Sequence, residues 1–219
     1  MTIRSMATLA RSTATLIVLA LLLGACGRPG AETSAGATAA PAAGGNPASG
    51  TANIDCTKIQ SDIKIGLEGS LTGGTADYGQ GMVKGFQIAI QEYNAKGGYQ
   101  SKQVGCAIYD DATKAETGQE NVSRLINQDK VVGIVGPVNS GVTLGFSKQI
   151  QETGIPLIVS VATGTALTKQ FPAPNFIFRV SMADINQTET MLAFAKSKGW
   201  TKLALLASTS GYGKGGQAD

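Results

Sequence analysis

The chain has 219 residues, a net charge of +3, 29 glycines, three cysteines, 5% aromatics and no histidine. The lack of histidine excludes Ser-His and Cys-His nucleophile pairs, His-ligated zinc and a histidine general base in this chain. Cysteines at 26, 56 and 106 have no C-x-x-C spacing for a metal or redox site, and so modest a charge gives no electrostatic case for nucleic acid.

Residues 1–25 carry Arg4 and Arg11, no acid, and the apolar run Leu16–Leu23, followed by Gly24 and Ala25. A positive start, a short apolar run and small residues read as a secretory signal peptide. The run is too short for a spanning helix, which needs about 20 residues. Leu23-Gly24-Ala25-Cys26 has the form of a bacterial lipobox, so Cys26 is the expected lipidation site; a cleaved signal with a chance cysteine is the alternative. Removing residues 1–25 lowers the charge to +1. In Gly27–Asn53, 23 of 27 residues are Gly, Ala, Pro, Ser or Thr. With no large apolar side chain to bury, this stretch is expected to be a flexible tether.

The rest alternates strands and helices. Ile63–Leu67 reads as a strand, followed by a glycine-rich loop over Gly69–Gly81. Val83, Phe86, Ile90 and Tyr93 form one apolar helical face, ended by Gly97-Gly98. Val104–Tyr109 is the next strand, and Asp110-Asp111 is expected as a solvated turn capping the following helix, marked by Ala115, Val122, Leu125 and Ile126. Val131–Val135 is a strand buried on both faces. Val142, Phe146 and Ile150 mark a third helix, and Ile155–Val159 a fourth strand. Asn175–Val180 is extended. Ile185, Thr188, Leu192 and Ala195 give a further helical stripe, with Asn186 and Glu189 spaced as a capping box, and Lys202–Ala207 reads as a last strand. This order predicts an α/β fold with a Rossmann-like parallel sheet. Its ligand belongs in the crevice beyond the carboxyl ends of the strands.

Two turns at that rim carry the binding chemistry. Gly136–Gly141 places Asn139 or Ser140 at a helix start, where free N–H groups and the helix dipole attract an anion. Ser160–Thr165 is a second small, polar turn. Tyr78, flanked by glycine, is read as a crevice wall, with a core position as the alternative. Gly211–Gly216 matches G-x-G-x-x-G but is read as a glycine turn presenting Tyr212 rather than a dinucleotide site. Cys56 and Cys106 lie on neighbouring segments, so a disulfide is expected in an exported protein, against two separate thiols.

The segments Ile63–Tyr78, Asn94–Gly98, Asp110-Asp111, Leu125–Gly141, Ala166–Thr168, Phe178-Arg179 and Gly211–Gly213 occur in an order that resembles the branched-chain amino acid (Leu/Ile/Val-type) substrate-binding proteins of ABC importers. The resemblance implies a type I periplasmic binding protein fold, two α/β lobes closing on ligand between them. The chain is thus expected to divide into a signal peptide (1–25), lipidated Cys26 and linker (26–53), an amino-terminal ligand-binding lobe (54–180), and a crossover with the start of an incomplete second lobe (181–219). It implies that Ser140 and Thr163 hold the ligand's α-carboxylate with backbone groups at Val161 or Ala162. Tyr78 would approach from the first lobe and Tyr212 from the second. The family's usual acidic partner for the ligand ammonium would lie beyond Asp219. The expected function is an extracytoplasmic, lipid-anchored, non-enzymatic solute-binding protein on the outer face of a bacterial membrane. It would deliver a small amino acid or amide to an ABC permease, with no cofactor, no metal, no nucleic-acid partner, and membrane contact through the lipid only. A sensory ligand-binding module of the same fold is the alternative, and an enzyme on a Rossmann-like sheet ranks third.

Overall fold

A computed structural model describes residues 55–219. The expected signal peptide, Cys26 and the linker over 27–53 lie outside the described residues. Five strands form one sheet: β1 (Lys64–Gly69), β2 (Gly105–Asp110), β3 (Ile134–Val135), β4 (Leu157–Val159) and β5 (Ile177–Arg179). The order is β2-β1-β3-β4-β5, and every pairing is parallel. The five helices are α1 (Ala76–Ala95), α2 (Ala115–Asn127), α3 (Ser140–Thr153), α4 (Asp184–Ser197) and α5 (Gly211–Ala218).

Side-chain alternation along the strands divides the core in two. Leu67 and Cys106 face α1, packing with Phe86 and Ile90, while Ile134, Leu157, Val159 and Ile177 pack with Val122 and Leu125 of α2 and Val142, Phe146 and Ile150 of α3. The α1 side stops short of the last two strands, so Ile158 and Phe178 remain exposed. At the far end of α1, Asn94 Nδ2 donates to Val104 O (2.8 Å) and Asn94 Oδ1 accepts from Val104 N–H (2.7 Å), pinning the helix to the chain entering β2. A disulfide joins Cys56, in a short 3-10 turn at Cys56–Lys58, to Cys106 of β2.

Several expectations are corrected. The strand expected over Val131–Val135 pairs fully only at Ile134–Val135, although Val132 N–H still donates to Lys64 O and Gly66 N–H to Gly133 O. The strand expected over Lys202–Ala207 does not form: these residues belong to no helix or strand, and Leu205 and Leu206 are exposed. The helix expected from Ile185, Thr188, Leu192 and Ala195 forms, yet of that stripe only Ala195 is buried, and Leu192, Met191 and Phe194 face outward. Its capping box does not form. The helix starts earlier, at Asp184, and its first amides are taken by the preceding turn: Asp184 N–H donates to Thr163 O (2.9 Å) and Ile185 N–H to Thr165 Oγ1 (2.9 Å). The glycine turn at Gly211–Gly216 is instead the helix α5, capped by Ser210, whose Oγ accepts from Gly213 N–H.

Candidate functional site

The strand order reverses direction between β1 and β3, so the loops that follow them leave a crevice at their carboxyl ends. The loop after β1 is braced from β2. Asp110 Oδ1 accepts from Leu71 N–H (2.8 Å), Thr72 N–H (3.2 Å) and Ala112 N–H (2.8 Å), and its Oδ2 accepts from Thr72 Oγ1 (2.6 Å). Burial opposes the charge, but the Thr72 hydroxyl and these amides outweigh it and hold the Asp110 carboxyl below the usual range. The Asp110-Asp111 pair is therefore no solvated helix cap. Asp110 shapes the site loop, Asp111 is buried with Oδ1 accepting from Thr113 N–H (2.7 Å), and α2 begins after Lys114 with no side-chain cap.

The loop after β3 turns sharply at Gly136, whose φ is +129° and whose missing Cβ would collide with Glu68 O. It delivers Asn139 to the N-cap of α3 in an extended conformation. The Asn139 side chain does not cap the helix. Its Nδ2 donates to Ser70 Oγ and Thr75 Oγ1, both at 2.9 Å, fastening the β1 loop to the start of α3. The first turn of α3 thus keeps its amides without a side-chain cap and contains no acid, the arrangement that favours an anion.

Ser140 is buried, and its Oγ accepts from Gly164 N–H (3.1 Å), joining α3 to the turn after β4. That turn is held from behind by Ser181 Oγ donating to Ala162 O (2.6 Å) and by Arg179 Nη1 donating to Thr163 O (3.2 Å) and Gly164 O (2.7 Å). Among the described residues, none shares a hydrogen bond with the Thr163 hydroxyl. α5 meets α3 glycine to glycine: a Cβ on Gly211 would lie 2.6 Å from Gly141 Cα. This close approach carries Tyr212 to the same rim.

The result is one cavity of about 360 Å³, within the range of small-ligand pockets. Tyr78, Asn139, Ser140, Val161, Ala162, Thr163 and Tyr212, the seven residues singled out in the sequence, all border it. Tyr78 is 65% and Tyr212 53% exposed, so neither is a core residue. Thr75, Val138, Gln187 and Ser210 also border the cavity and were not singled out. Thr75 lies in the loop already read as glycine-rich, and Gln187 sits on the helix carrying the last apolar stripe, but neither has a motif of its own. Among the described residues, no group of three or more Cys, Asp or Glu side chains is placed to hold a metal.

Residues 62–219 match the family described as Periplasmic binding protein. The chain belongs to that family. A curated member, the Leu/Ile/Val-binding protein BraC3 of Rhizobium johnstonii, is 32% identical over 156 residues, 71% of this chain and 42% of its own length. The Leu/Ile/Val-binding protein of Escherichia coli (strain K12) is 27% identical over 158 residues, 72% of this chain and 42% of its own. Among solved structures, the branched-chain amino acid transporter substrate binding protein LivJ from Streptococcus pneumoniae, in complex with isoleucine, is 33% identical. Its TM-score is 0.53, over 57% of this chain and 35% of that one. The chain therefore spans about two fifths of the length of the curated periplasmic binding proteins it matches, and its parallel α/β sheet is theirs.

Beneath the site lies a feature the sequence reading did not single out. Glu68, near the end of β1, is fully buried, and among the described residues neither carboxyl oxygen nor Asp111 Oδ2 has a partner within hydrogen-bond geometry. Burial, then the nearby Asp111 charge, pushes the Glu68 carboxyl up to about 9.

Proposed function

We propose that this chain is the ligand-capturing part of an extracytoplasmic solute-binding protein of an ABC importer. It takes a small amino acid of branched-chain type, or a related amide, by its α-carboxylate. One observation carries the reading: α3 opens, without a side-chain cap, onto a cavity also bordered by the unengaged Thr163 hydroxyl. A carboxylate there gains backbone amides and a hydroxyl, each charge-assisted bond contributing roughly 1.5–3 kcal/mol. Val161 and Ala162 offer backbone groups, and Tyr78 and Tyr212 form walls with an apolar body and a polar tip. The Leu/Ile/Val-binding relatives support the amino acid as the ligand class. In this reading residues 1–25 direct export, Cys26 carries the lipid, and 27–53 tether the lobe formed by 54–180, with 181–219 opening a second lobe. The chain performs no chemistry on its ligand and hands it to a permease.

Thr163→Ala tests the site with little cost to the fold, because the hydroxyl it removes holds no partner among the described residues. Calorimetric titration with L-leucine is expected to show affinity reduced about tenfold, at an unchanged melting temperature. Unaltered affinity would remove Thr163 from the carboxylate site.

A further inference from the structure

Glu68 and Asp111 are two buried acids with no charge to oppose them. Of their four carboxyl oxygens, both of Glu68 and Oδ2 of Asp111 have no hydrogen-bond partner among the described residues. The fourth, Asp111 Oδ1, accepts from Thr113 N–H (2.7 Å). The acids face the same point of α2: a Cβ on Gly118 would lie 3.2 Å from Glu68 Oε1 and 3.7 Å from Asp111 Cβ. The other groups packed there are Asn121 of α2, whose Nδ2 donates to Asp110 O, and Val142 of α3. Asp110 adds a third negative charge, its side chain turned to Leu71 and Thr72. No Lys or Arg among the described residues lies within ion-pair distance of Glu68 or Asp111.

Two buried carboxylates side by side, with neither cation nor donor, would each carry the full cost of desolvation. One proton removes the difficulty. A protonated carboxyl is a donor and an ionised one an acceptor, so a single O–H···O bond partners both acids and leaves one buried charge in place of two. Like charges too close to ionise together share a proton in this way. The upward push on the Glu68 carboxyl, from burial first and Asp111 second, agrees.

The position of the pair gives that proton a consequence. Glu68 precedes the loop whose Ser70 and Thr75 hold Asn139. Its carbonyl oxygen lies against Gly136, where the chain turns toward Asn139. Asp111 N–H donates to Gly69 O (3.1 Å), and Asp110 holds Leu71 and Thr72. The β1 loop, the end of β2 and the turn after β3 therefore all meet at the two acids.

We propose that Glu68 and Asp111 share one buried proton and act as positioning residues for the ligand cavity, the proton holding the root of the β1 loop to the end of β2. Its release to solvent leaves two like charges across that joint and displaces the loop and helix start that carry Thr75 and Tyr78. This rests on the reading of the cavity as the ligand site.

A carbon-13 NMR pH titration of the carboxyl-labelled chain, paired with calorimetric titration with L-leucine at pH 7 and 9.5, tests it on the natural sequence, Glu68→Gln and Asp111→Asn. The natural chain is expected to show a carboxyl resonance that titrates far above the ordinary range. That resonance should be missing in Glu68→Gln and should titrate at least about one pH unit lower in Asp111→Asn. Leucine affinity of the natural chain is expected to fall between the two pH values about threefold more than that of Glu68→Gln, a comparison in which the ligand's own amine cancels. A Glu68 resonance in the ordinary range, or one unmoved by Asp111→Asn, would overturn the shared proton. Equal falls in affinity would overturn the positioning role. No leucine binding at pH 7 by a chain that shows the raised resonance would overturn the ligand reading and leave the shared proton standing.

Discussion

Raising the pH from 5 to 9 is expected to destabilise the folded chain progressively, and Glu68→Gln is expected to remove most of that dependence. Glu68 is buried beside Asp111 with its carboxyl pushed up to about 9. In the unfolded chain it returns to an ordinary value near 4.5. The folded state therefore keeps a proton that the unfolded state releases. The stabilisation is complete below about 4.5 and is lost as the pH rises toward 9, at up to about one decade in the folding constant per unit. Glutamine keeps the shape and supplies amide donors for the unpartnered Asp111 Oδ2. Urea unfolding at pH 5, 7 and 9 should give falling midpoints for the natural sequence and a much flatter series for the variant, with the variant the more stable at pH 9. Parallel profiles for the two would show that Glu68 is not the group responsible.

Replacing both Cys56 and Cys106 by serine is expected to cost about 4 kcal/mol. The disulfide closes a loop with a sequence separation of 50 residues, and the chain-entropy cost of leaving such a loop open is of that order. Cys56 and Cys106 also pack with Leu67, Phe86 and Ile90, so the loss falls on the α1 side of the sheet. Unfolding under oxidising and reducing conditions should reproduce most of the difference in the natural sequence, and no difference in the double variant. A loss below about 1 kcal/mol would mean that the loop is held together without the bond.

The parallel sheet was legible because its signals are local. Apolar runs at 63–67 and 155–159 and the 3.6-residue stripe of Phe86 and Ile90 each report burial that the chain satisfies with its own neighbours. The two rim turns were legible for the same reason, since small polar residues between an apolar strand and a helix are conspicuous. The errors fall where distant partners decide. Lys202–Ala207 has a strand's composition but pairs with no described strand. The capping box at Asn186 and Glu189 lost to Thr163 and Thr165, which are distant in sequence and satisfy the α4 amides first. Asp110 turned from the helix after it to the loop after β1, a choice set by strand adjacency. Glu68 is hidden for a related reason. In sequence it is one acid before a glycine loop, and only the packing of β1, β2 and α2 makes it a buried, unpaired carboxyl.

The same logic explains the firmness of the cavity rim. Asn139 ties α3 to Ser70 and Thr75, Ser140 ties it to Gly164, and Arg179 and Ser181 hold the second turn from behind. In the proposed site these donors are already held in place, so binding there is expected to cost little ordering entropy. Tyr78 and Tyr212, more than half exposed, are the adaptable part.

Amide-resolved NMR titration with L-leucine asks the central question most directly. The account predicts that the largest shifts fall on the amides of Ser140, Gly141 and Val142 and on those of Ala162 and Thr163, the two sets saturating together. Shifts confined instead to Met191 and Phe194 of α4 and to Trp200 and Leu205 after it, with the start of α3 silent, would contradict it.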